Sequence, residues 1–282
     1  MTCRAYAKIN IGLLILGRRP DGYHDLQTVF HRINLFDQIT LEPSESTITV
    51  ESNEPAAPGD ETNLCFRAAD ALRRFLGHEA GVRISLAKSI PVGAGLGGGS
   101  SDAACVLRHL PRLWGRPLDD AALSELALGL GSDVAYFLQS GSAIARGRGE
   151  VLKYFTLELP YAILVCTPAI HVSTAWAYGR IDVKSRPRQV DLESLVVAGM
   201  KDPSHLAELE NDFEDVVFEA YPDIRLIRDT MRTAGAAISL LSGSGSSVFG
   251  LFERMGTARE VAALLARRGH RVSLTEPGFR PA

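Results

Sequence analysis

The segment from residue 93 to residue 102 has the composition of a phosphate-binding loop. Five glycines fall within its first seven positions, and Ser100, Ser101 and Asp102 follow them. Glycine lets a backbone adopt positive φ and approach an anion without a Cβ in the way. Serine and aspartate are typical of the first turn of a helix, whose N–H groups and dipole favour negative charge. We therefore predict that this segment binds phosphate groups.

The segments on either side of the loop are those that a phosphate site needs. Val82, Ile84 and Leu86 alternate with less apolar residues, which predicts a strand leading into the loop. Apolar residues recur at helical spacing from Ala103 to Leu110, which predicts a helix that begins at the loop. Because a flexible linker would lack both elements, their order favours a binding site.

Three kinds of phosphate loop could be built from these residues. The glycines satisfy the dinucleotide fingerprint G-x-G-x-x-G, but the acid expected about 20 residues later falls at Asp119, where a helix rather than a strand is predicted. A Walker A loop requires a lysine after its last glycine, and Ser100 follows Gly99 instead. The remaining pattern, P-x-x-x-G-L-G-(G)-S-S, resembles the phosphate loop of the GHMP kinase superfamily. This resemblance implies that ATP is bound by Pro91, Gly93, Gly95, Leu96, Gly97, Gly98, Gly99, Ser100, Ser101 and Asp102.

Two polar side chains share one face of an apolar strand near the N-terminus. Apolar residues alternate from residue 5 to residue 16 as in a strand, and Lys8 and Asn10 lie two positions apart. A lone lysine is ordinarily exposed. A strand this apolar makes it equally reasonable that both side chains point into a site, and the residues alone leave both possibilities open.

Two other segments carry residues that could act on a substrate. Asp133 lies at the predicted start of a helix, where it could be a first-turn acid or a general base. Tyr23 and His24 follow an Asp-Gly turn, so a loop is predicted to present them. Because a Tyr-His pair is ordinarily a packing feature, the residues alone do not assign it a ligand.

Four motifs together resemble one branch of the GHMP kinases, the kinases of the non-mevalonate isoprenoid pathway that phosphorylate 4-diphosphocytidyl-2-C-methyl-D-erythritol. They are AYAKINIGLLILGRRPDGYHDLQTVF, GLGGGSSDAA, GSDV at residues 131–134 and LSGSG at residues 241–245, and they occur in the family's order over nearly the whole chain. Tyr6 replaces the usual proline and Ser132 replaces a frequent alanine. Neither change removes a reactive group.

The resemblance implies a role for each candidate residue. Asp133 would act as the general base toward the 2-hydroxyl of the substrate, with Lys8 as its electrostatic partner. Asn63 and Lys88 would lie near the adenine of ATP, and Mg²⁺ would accompany the nucleotide through ligands that the motifs do not identify. The substrate would be bound by Asn10, Tyr23, His24, Thr174 and Tyr178, with the cytosine stacked between the two tyrosines.

Three alternatives stay open beside this interpretation. The chain could be another GHMP kinase, acting on homoserine, mevalonate or a sugar, although the D-G-Y-H motif and the second aromatic residue disfavour this. It could be a nucleotide-binding module without catalysis, which the retention of Lys8 and Asp133 disfavours. It could also be a dinucleotide-dependent oxidoreductase, which would have to bind NAD and lack productive turnover of ATP.

The resemblance implies an α+β fold with two domains. Residues 1–157 would form the N-terminal GHMP kinase domain, which is ribosomal-S5-domain-2-like and holds the phosphate loop, and residues 158–282 a ferredoxin-like α/β sandwich. The local patterns predict helices at residues 62–76, 119–128, 204–218, 223–234 and 257–268, and strands at residues 142–146, 162–166, 238–241, 247–252 and 271–275. Residues 182–189 are predicted to form a solvated loop.

The net charge, the apolar runs and the spacing of the cysteines indicate which classes of partner to expect. A formal net charge of -3 provides no basic surface for nucleic acid, and no apolar run reaches the roughly 20 residues of a membrane span. The four cysteines are scattered, with no C-x-x-C and no nearby histidine at zinc spacing, which predicts reduced thiols and a cytoplasmic protein. We expect a small-molecule substrate, neither nucleic acid nor membrane as a partner, and a monomer or homodimer.

Overall fold

The computed structural model describes residues 1–181 and 190–281. Within them the chain forms two compact units, each assembled from separate segments. The first unit comprises Met1–Ala7, Phe36–Val92 and Gly97–Ser140. The second comprises Lys8–Leu35, Gly93–Leu96 and the described residues from Gly141 onward. Because these segments interleave along the chain, they do not test a domain division after residue 157, which stays a prediction.

Strands and helices are mixed along the described residues. The strands are β1 (Thr2–Arg18), β2 (His24–Ser44), β3 (Ile48–Ser52), β4 (Gly81–Ala87), β5 (Ser142–Gly147), β6 (Val151–Phe155), β7 (Ala162–Thr167), β8 (Ile238–Leu241), β9 (Val248–Phe252) and β10 (Arg271–Thr275). The helices are α1 (Leu64–Leu76), α2 (Gly98–Leu113), α3 (Asp120–Leu130), α4 (Ser132–Tyr136), α5 (Thr174–Tyr178), α6 (Leu192–Gly199), α7 (Glu214–Ala220), α8 (Pro222–Thr233) and α9 (Met255–Arg267), with a 3₁₀ helix at Pro203–Glu208.

The first unit places the strand order β3-β4-β2 beside helices α1 to α4. β4 pairs parallel with β3 and antiparallel with the C-terminal half of β2, so that Ile84 lies opposite both Val50 and Leu41. All three side chains are buried, which explains the apolar alternation along β4. The predicted strand into the glycine loop and the predicted helix after it are therefore confirmed.

The second unit contains an antiparallel four-stranded sheet with the order β10-β7-β9-β8. Every residue of β7 is buried, and Leu164 at its centre lies opposite Leu274 of β10 and Gly250 of β9. Helices α8 and α9 add their apolar stripes to the same core through Ile224, Ile227, Met231, Ala258, Val261 and Leu265. In the same unit the N-terminal half of β2 pairs with β5, and β5 pairs with β6.

One predicted helix is wrong. Residues 204–218 form the end of the 3₁₀ helix and then α7, with a non-helical stretch between them. In that stretch Asn211 Nδ2 donates hydrogen bonds to the carbonyl oxygens of Leu241 (2.7 Å) and Gly243 (2.9 Å), and the neighbouring backbone pairs with Leu13. These bonds to distant residues replace the local bonds of a helix. The predicted loop at residues 182–189 lies outside the described residues.

The prediction for the cysteines is half correct. Cys65 and Cys166 are buried free thiols. The sulfur atoms of Cys3 and Cys105, in contrast, are paired with each other. Local sequence carries no sign of this pair because 102 residues separate its members. Over residues 1–181 and 190–281 we find no helix with the length and apolar character needed to cross a membrane.

Candidate active site

The glycine loop has the backbone conformation that its composition predicts. Gly93, Gly95 and Gly97 adopt φ of 65°, 78° and 70°, values that residues with a Cβ rarely take. Gly97 is the N-cap of α2, and among the described residues no side chain caps the helix there. The first N–H groups of α2 and its positive dipole end therefore stay available to an anion.

Two of the three polar residues after the glycines, Ser101 and Asp102, form hydrogen bonds within the first unit. Ser101 is buried, and its hydroxyl donates a hydrogen bond of 2.8 Å to the carbonyl oxygen of Tyr6. The carboxylate of Asp102 is buried and accepts a hydrogen bond of 2.6 Å from Lys88 Nζ. Both residues thus fix the first turn of α2, and a direct contact with ATP stays a prediction for them.

Lys88 is the centre of a buried charge cluster that consists of Asp37, Lys88 and Asp102. Its Nζ lies 2.5 Å from Asp37 Oδ2 and 2.6 Å from Asp102 Oδ2, and all three side chains are less than 5 % exposed. Asp37 Oδ1 accepts the backbone N–H groups of Ser89 and Ile90 at 2.6 and 2.8 Å. The cluster therefore ties the segment before the loop to the helix after it.

The cluster holds two carboxylates for one ammonium group. Burial, assisted by the charge of Asp37 and opposed by Lys88, raises the pKa of Asp102 to about 7. Burial lowers the pKa of Lys88, but the two carboxylates outweigh it and raise that pKa overall. Among the described residues Asp102 Oδ1 has no hydrogen-bond partner.

Two more candidates lie in the first unit. Asn63 is the N-cap of α1: its Oδ1 accepts the N–H of Cys65 at 2.8 Å, and its Nδ2 donates to the carbonyl oxygen of Pro58 at 2.6 Å. Asp133 is half-buried in the first turn of the short helix α4. The structure therefore gives Asn63 a capping role, and the proposed contact of Asn63 with adenine and the basic role of Asp133 stay predictions.

The second unit holds Lys8 and Asn10 together on β1, as their spacing predicts. Both side chains are buried, and Lys8 Nζ donates to Asn10 Oδ1 at 2.6 Å. Asn10 Nδ2 donates to Thr28 Oγ1 at 3.0 Å, and that hydroxyl donates to the carbonyl oxygen of Gly12 at 2.6 Å. Lys8 Nζ also lies 4.7 Å from the ring centroid of Phe30. This chain of bonds holds a positive charge in one orientation inside the protein.

A turn of small residues at residues 242–247 packs against the first half of the glycine loop. Ser242 Oγ donates to the carbonyl oxygen of Gly95 at 3.0 Å, and Ser247 N donates to that of Ala94 at 3.2 Å. A Cβ at Gly95 would collide with the Ser242 carbonyl group. Glycine at position 95 is thus required both by its φ and by the close approach of this turn.

The aromatic candidates come together in part. His24 stacks on Tyr178 with ring centroids 5.1 Å apart, and Tyr178 meets the ring of Phe213 edge-on at 4.9 Å. Tyr23 is 57 % exposed after the predicted turn, and its ring lies against the guanidinium of Arg148 at 4.8 Å. The described geometry therefore pairs Tyr178 with His24, and a base between Tyr23 and Tyr178 stays a prediction.

His24 and Thr174 are the two polar candidates on the segments that carry these rings. Burial and the charge of Arg18 lower the pKa of His24, so its neutral ring offers one donor and one acceptor. Thr174 Oγ1 lies 2.9 Å from Ser244 Oγ, which connects the α5 segment to the turn at residues 242–247.

Sequence reasoning missed three residues that hold this machinery in place. Thr28 orients Asn10, Asp37 holds Lys88, and Asn211 holds the turn at residues 242–247. Thr28 carries a weak signal because it is a polar residue in an apolar stretch, as Lys8 is. Asp37 and Asn211 have no local signal, since their partners lie 51 and 30 or more residues away along the chain.

Comparison with known proteins identifies relatives over the full chain. Residues 63–141 match the family described as GHMP kinases N terminal domain, and residues 193–271 match GHMP kinases C terminal. The chain is 46% identical to the 4-diphosphocytidyl-2-C-methyl-D-erythritol kinase of Prosthecochloris aestuarii, over 100% of this chain and 99% of the relative.

Solved structures give the same result. A crystal structure of 4-(cytidine 5'-diphospho)-2C-methyl-D-erythritol kinase superposes with a TM-score of 0.83 at 38% identity, covering 99% of this chain and 100% of that one. The homoserine kinase of Cytophaga hutchinsonii superposes with a TM-score of 0.72 at 20% identity, covering 98% of this chain and 95% of that one. At that identity the second likeness concerns the fold alone.

Proposed function

Because the chain belongs to the 4-diphosphocytidyl-2-C-methyl-D-erythritol kinase family of the GHMP kinases, we propose that it transfers the γ-phosphoryl group of ATP to the 2-hydroxyl of that compound in isoprenoid precursor biosynthesis. The α+β GHMP kinase fold is confirmed. The single observation that best supports phosphoryl transfer is the glycine loop, whose positive-φ residues run directly into the uncapped start of α2 in the described chain.

Lys8 supplies the fixed positive charge of the proposed mechanism. Phosphoryl transfer depends on positioning and on neutralising the charge that spreads over the phosphoryl oxygens. A buried lysine whose Nζ is held by Asn10 is already oriented, so it does not have to reorganise as the reaction proceeds. Thr28 extends this support by holding Asn10.

Asp133 is the proposed general base. The substrate alcohol has a pKa far above 7, so its proton must leave as its oxygen attacks the γ-phosphorus. In this proposal the O–H proton passes to the Asp133 carboxylate, the new P–O bond forms, and the bond from the γ-phosphorus to the bridging oxygen breaks to release ADP. The assignment rests on the family motif at residues 131–134 and on the half-buried position of Asp133.

The phosphates of ATP are proposed to lie on residues 93–102, with Pro91 before them and Asn63 and Lys88 close to the nucleotide. Mg²⁺ is proposed to enter with ATP, and when bound it neutralises charge on the β- and γ-phosphates.

Tyr23, His24, Thr174 and Tyr178 are proposed to recognise the cytidyl group, with Asn10 close to the reacting end of the substrate. Stacking on an aromatic ring recognises any base, while the neutral His24 ring adds the hydrogen bonds that select cytosine. The predicted division after residue 157 and a cytoplasmic monomer or homodimer complete the proposal.

The test is an ATP-consumption assay with a panel of alcohols that contains the cytidyl compound, homoserine, mevalonate and a sugar. We expect turnover with the cytidyl compound, and Asp133→Asn should lower its kcat by about 10²- to 10⁴-fold with little change in the affinity for ATP. Efficient turnover of another alcohol, without turnover of the cytidyl compound, would show that the proposed substrate is wrong. An Asp133→Asn variant with near wild-type kcat would remove the proposed base.

A further inference from the structure

A cluster of three side chains in the first unit has the composition of a metal site, and we call it the Cys3–Cys105–His109 cluster. One sulfur or nitrogen atom from each residue lies within 4.8 Å of the other two. Cys105 is buried, and Cys3 and His109 are half-buried. The cluster lies outside every residue assigned to ATP or substrate, so the proposed reaction leaves it without a role.

The backbone accounts for this meeting of ligands. Cys105 and His109 are four residues apart on α2, so their side chains lie on one face of the helix. Cys3 reaches them from the first residues of β1. Its Sγ also lies 3.8 Å from the carbonyl oxygen of Ile39 on β2. A bound ion would therefore join the N-terminal strand to the helix that begins at the glycine loop.

The imidazole ring of His109 has a nitrogen atom that is available to a metal ion. Among the described residues His109 Nδ1 is buried without a hydrogen-bond partner, although a buried ring nitrogen ordinarily has one. A buried ring nitrogen without a hydrogen-bond partner can bind a metal ion in place of that bond.

The spacing of the backbone suits a shared ion better than a direct link between the cysteines. The Cα atoms of Cys3 and Cys105 are 7.1 Å apart, beyond the usual disulfide range of about 4.4–6.8 Å. Two thiolates and one imidazole at about 2.3 and 2.0 Å from a tetrahedral ion are a ligand set that Zn²⁺ favours.

We propose that the Cys3–Cys105–His109 cluster, in its reduced state, binds a thiophilic divalent cation, Zn²⁺, with solvent as the fourth ligand. Binding requires both thiols to lose their protons, which pass to the solvent. The ion would fix the N-terminal end of β1 to α2 and thereby stabilise the strand that continues to Lys8.

The test uses Co²⁺ as a spectroscopic probe on the full-length protein, reduced and freed of metal. We expect the thiolate-to-cobalt charge-transfer band and the d–d bands of a tetrahedral site, and Zn²⁺ should displace them. Cys3→Ser, Cys105→Ser and His109→Ala should each weaken the binding by at least about tenfold, because loss of a mere outer-shell partner already costs about 10- to 100-fold. The matched control is Cys166→Ser, which removes a buried free thiol from β7 and should keep the wild-type spectrum.

A second measurement needs no variant. Zn²⁺ should slow alkylation of Cys3 and Cys105 in the reduced wild-type protein, as mapped by peptide mass spectrometry, and prior oxidation of the pair should abolish the cobalt spectrum. A reduced wild-type protein without a thiolate-to-cobalt band would overturn the proposal, and so would a band that persists when both cysteines are replaced. A Cys3–Cys105 disulfide that resists cytosolic levels of thiol reductant would overturn it as well.

Discussion

Substitution of Gly95 by alanine tests the phosphate loop most directly. Gly95 has φ of 78°, and a Cβ there would lie inside contact distance of the Ser242 carbonyl oxygen and 3.1 Å from that of Gly245. The positive φ alone costs a residue with a Cβ about 1–2 kcal/mol. Displacing the facing turn would also weaken the two hydrogen bonds from Ser242 and Ser247, at about 0.5–1.5 kcal/mol each.

The total strain of about 2–5 kcal/mol is relieved if the loop moves away from its binding conformation. The backbone part of that strain, about 1–2 kcal/mol, opposes the conformation of the loop that binds ATP. The affinity for ATP should therefore fall about 5- to 30-fold. The measurement is calorimetric titration with a non-hydrolysable ATP analogue, together with a thermal melt to establish that the variant is folded.

The matched control is Gly77→Ala. Gly77 ends α1 with φ of 56°, and among the described residues no atom lies within 4 Å of a Cβ built there. It therefore carries the backbone penalty without the crowding, and its Tm should fall while its affinity for ATP stays at the wild-type value. A folded Gly95→Ala variant with wild-type affinity for ATP would refute the assignment of this loop to the phosphates.

Three further outcomes are expected. Lys8→Ala should lower kcat by about 10²- to 10³-fold, as loss of a preorganised charge does, and a change confined to KM would make Lys8 a ground-state binder instead. Tyr178→Ala should raise KM for the cytidyl substrate roughly 5- to 150-fold and leave KM for ATP nearly unchanged; an equal rise for both would speak against base stacking. Burial lowers the pKa of His31 from 6.5 to about 4, so the unfolded chain binds more protons than the native one between these values. This difference contributes about 3 kcal/mol to the free energy of unfolding above pH 6.5, and the contribution is lost as the pH falls toward 4. We expect urea unfolding across this range to show a flatter pH dependence for His31→Gln than for the wild type. Identical slopes for the two proteins would contradict the buried neutral state of His31.

The sequence predicts those strands and helices that pack through apolar side chains and whose ends are determined by neighbouring residues. Strands β8 and β10 begin and end where alternation and turns place them, and α1 begins beside its Asn63 cap. The helix predicted at residues 204–218 fails because Asn211 binds backbone carbonyls about 30 residues away. Helical periodicity describes which side chains are apolar, but it is blind to a competing hydrogen-bond partner from elsewhere in the fold.

The same limit applies to the site. The loop and the pair Lys8 and Asn10 were visible in the sequence because their geometry follows from short-range spacing. The engagement of Asp102 by Lys88 was not visible, since a first-turn aspartate beside a glycine loop suggests an exposed polar group and only the fold buries it. The sequence does not indicate His109 as a ligand, because Cys105 and His109 on α2 form a three-residue group only with Cys3 of β1, which is distant in the chain.

The Asp37–Lys88–Asp102 cluster has a consequence for anyone who would transplant the nucleotide loop. Residues 93–102 look like a portable cassette, yet their last carboxylate is neutralised by a lysine that precedes the loop and is itself shared with Asp37 of β2. Moved alone into another scaffold, the cassette would bring a buried carboxylate without its counter-charge, which proteins tolerate poorly. The smallest transferable unit is therefore two pieces of chain, residues 88–102 and the segment of β2 that carries Asp37. A chimera should include both, or it should replace Asp102 with an uncharged residue.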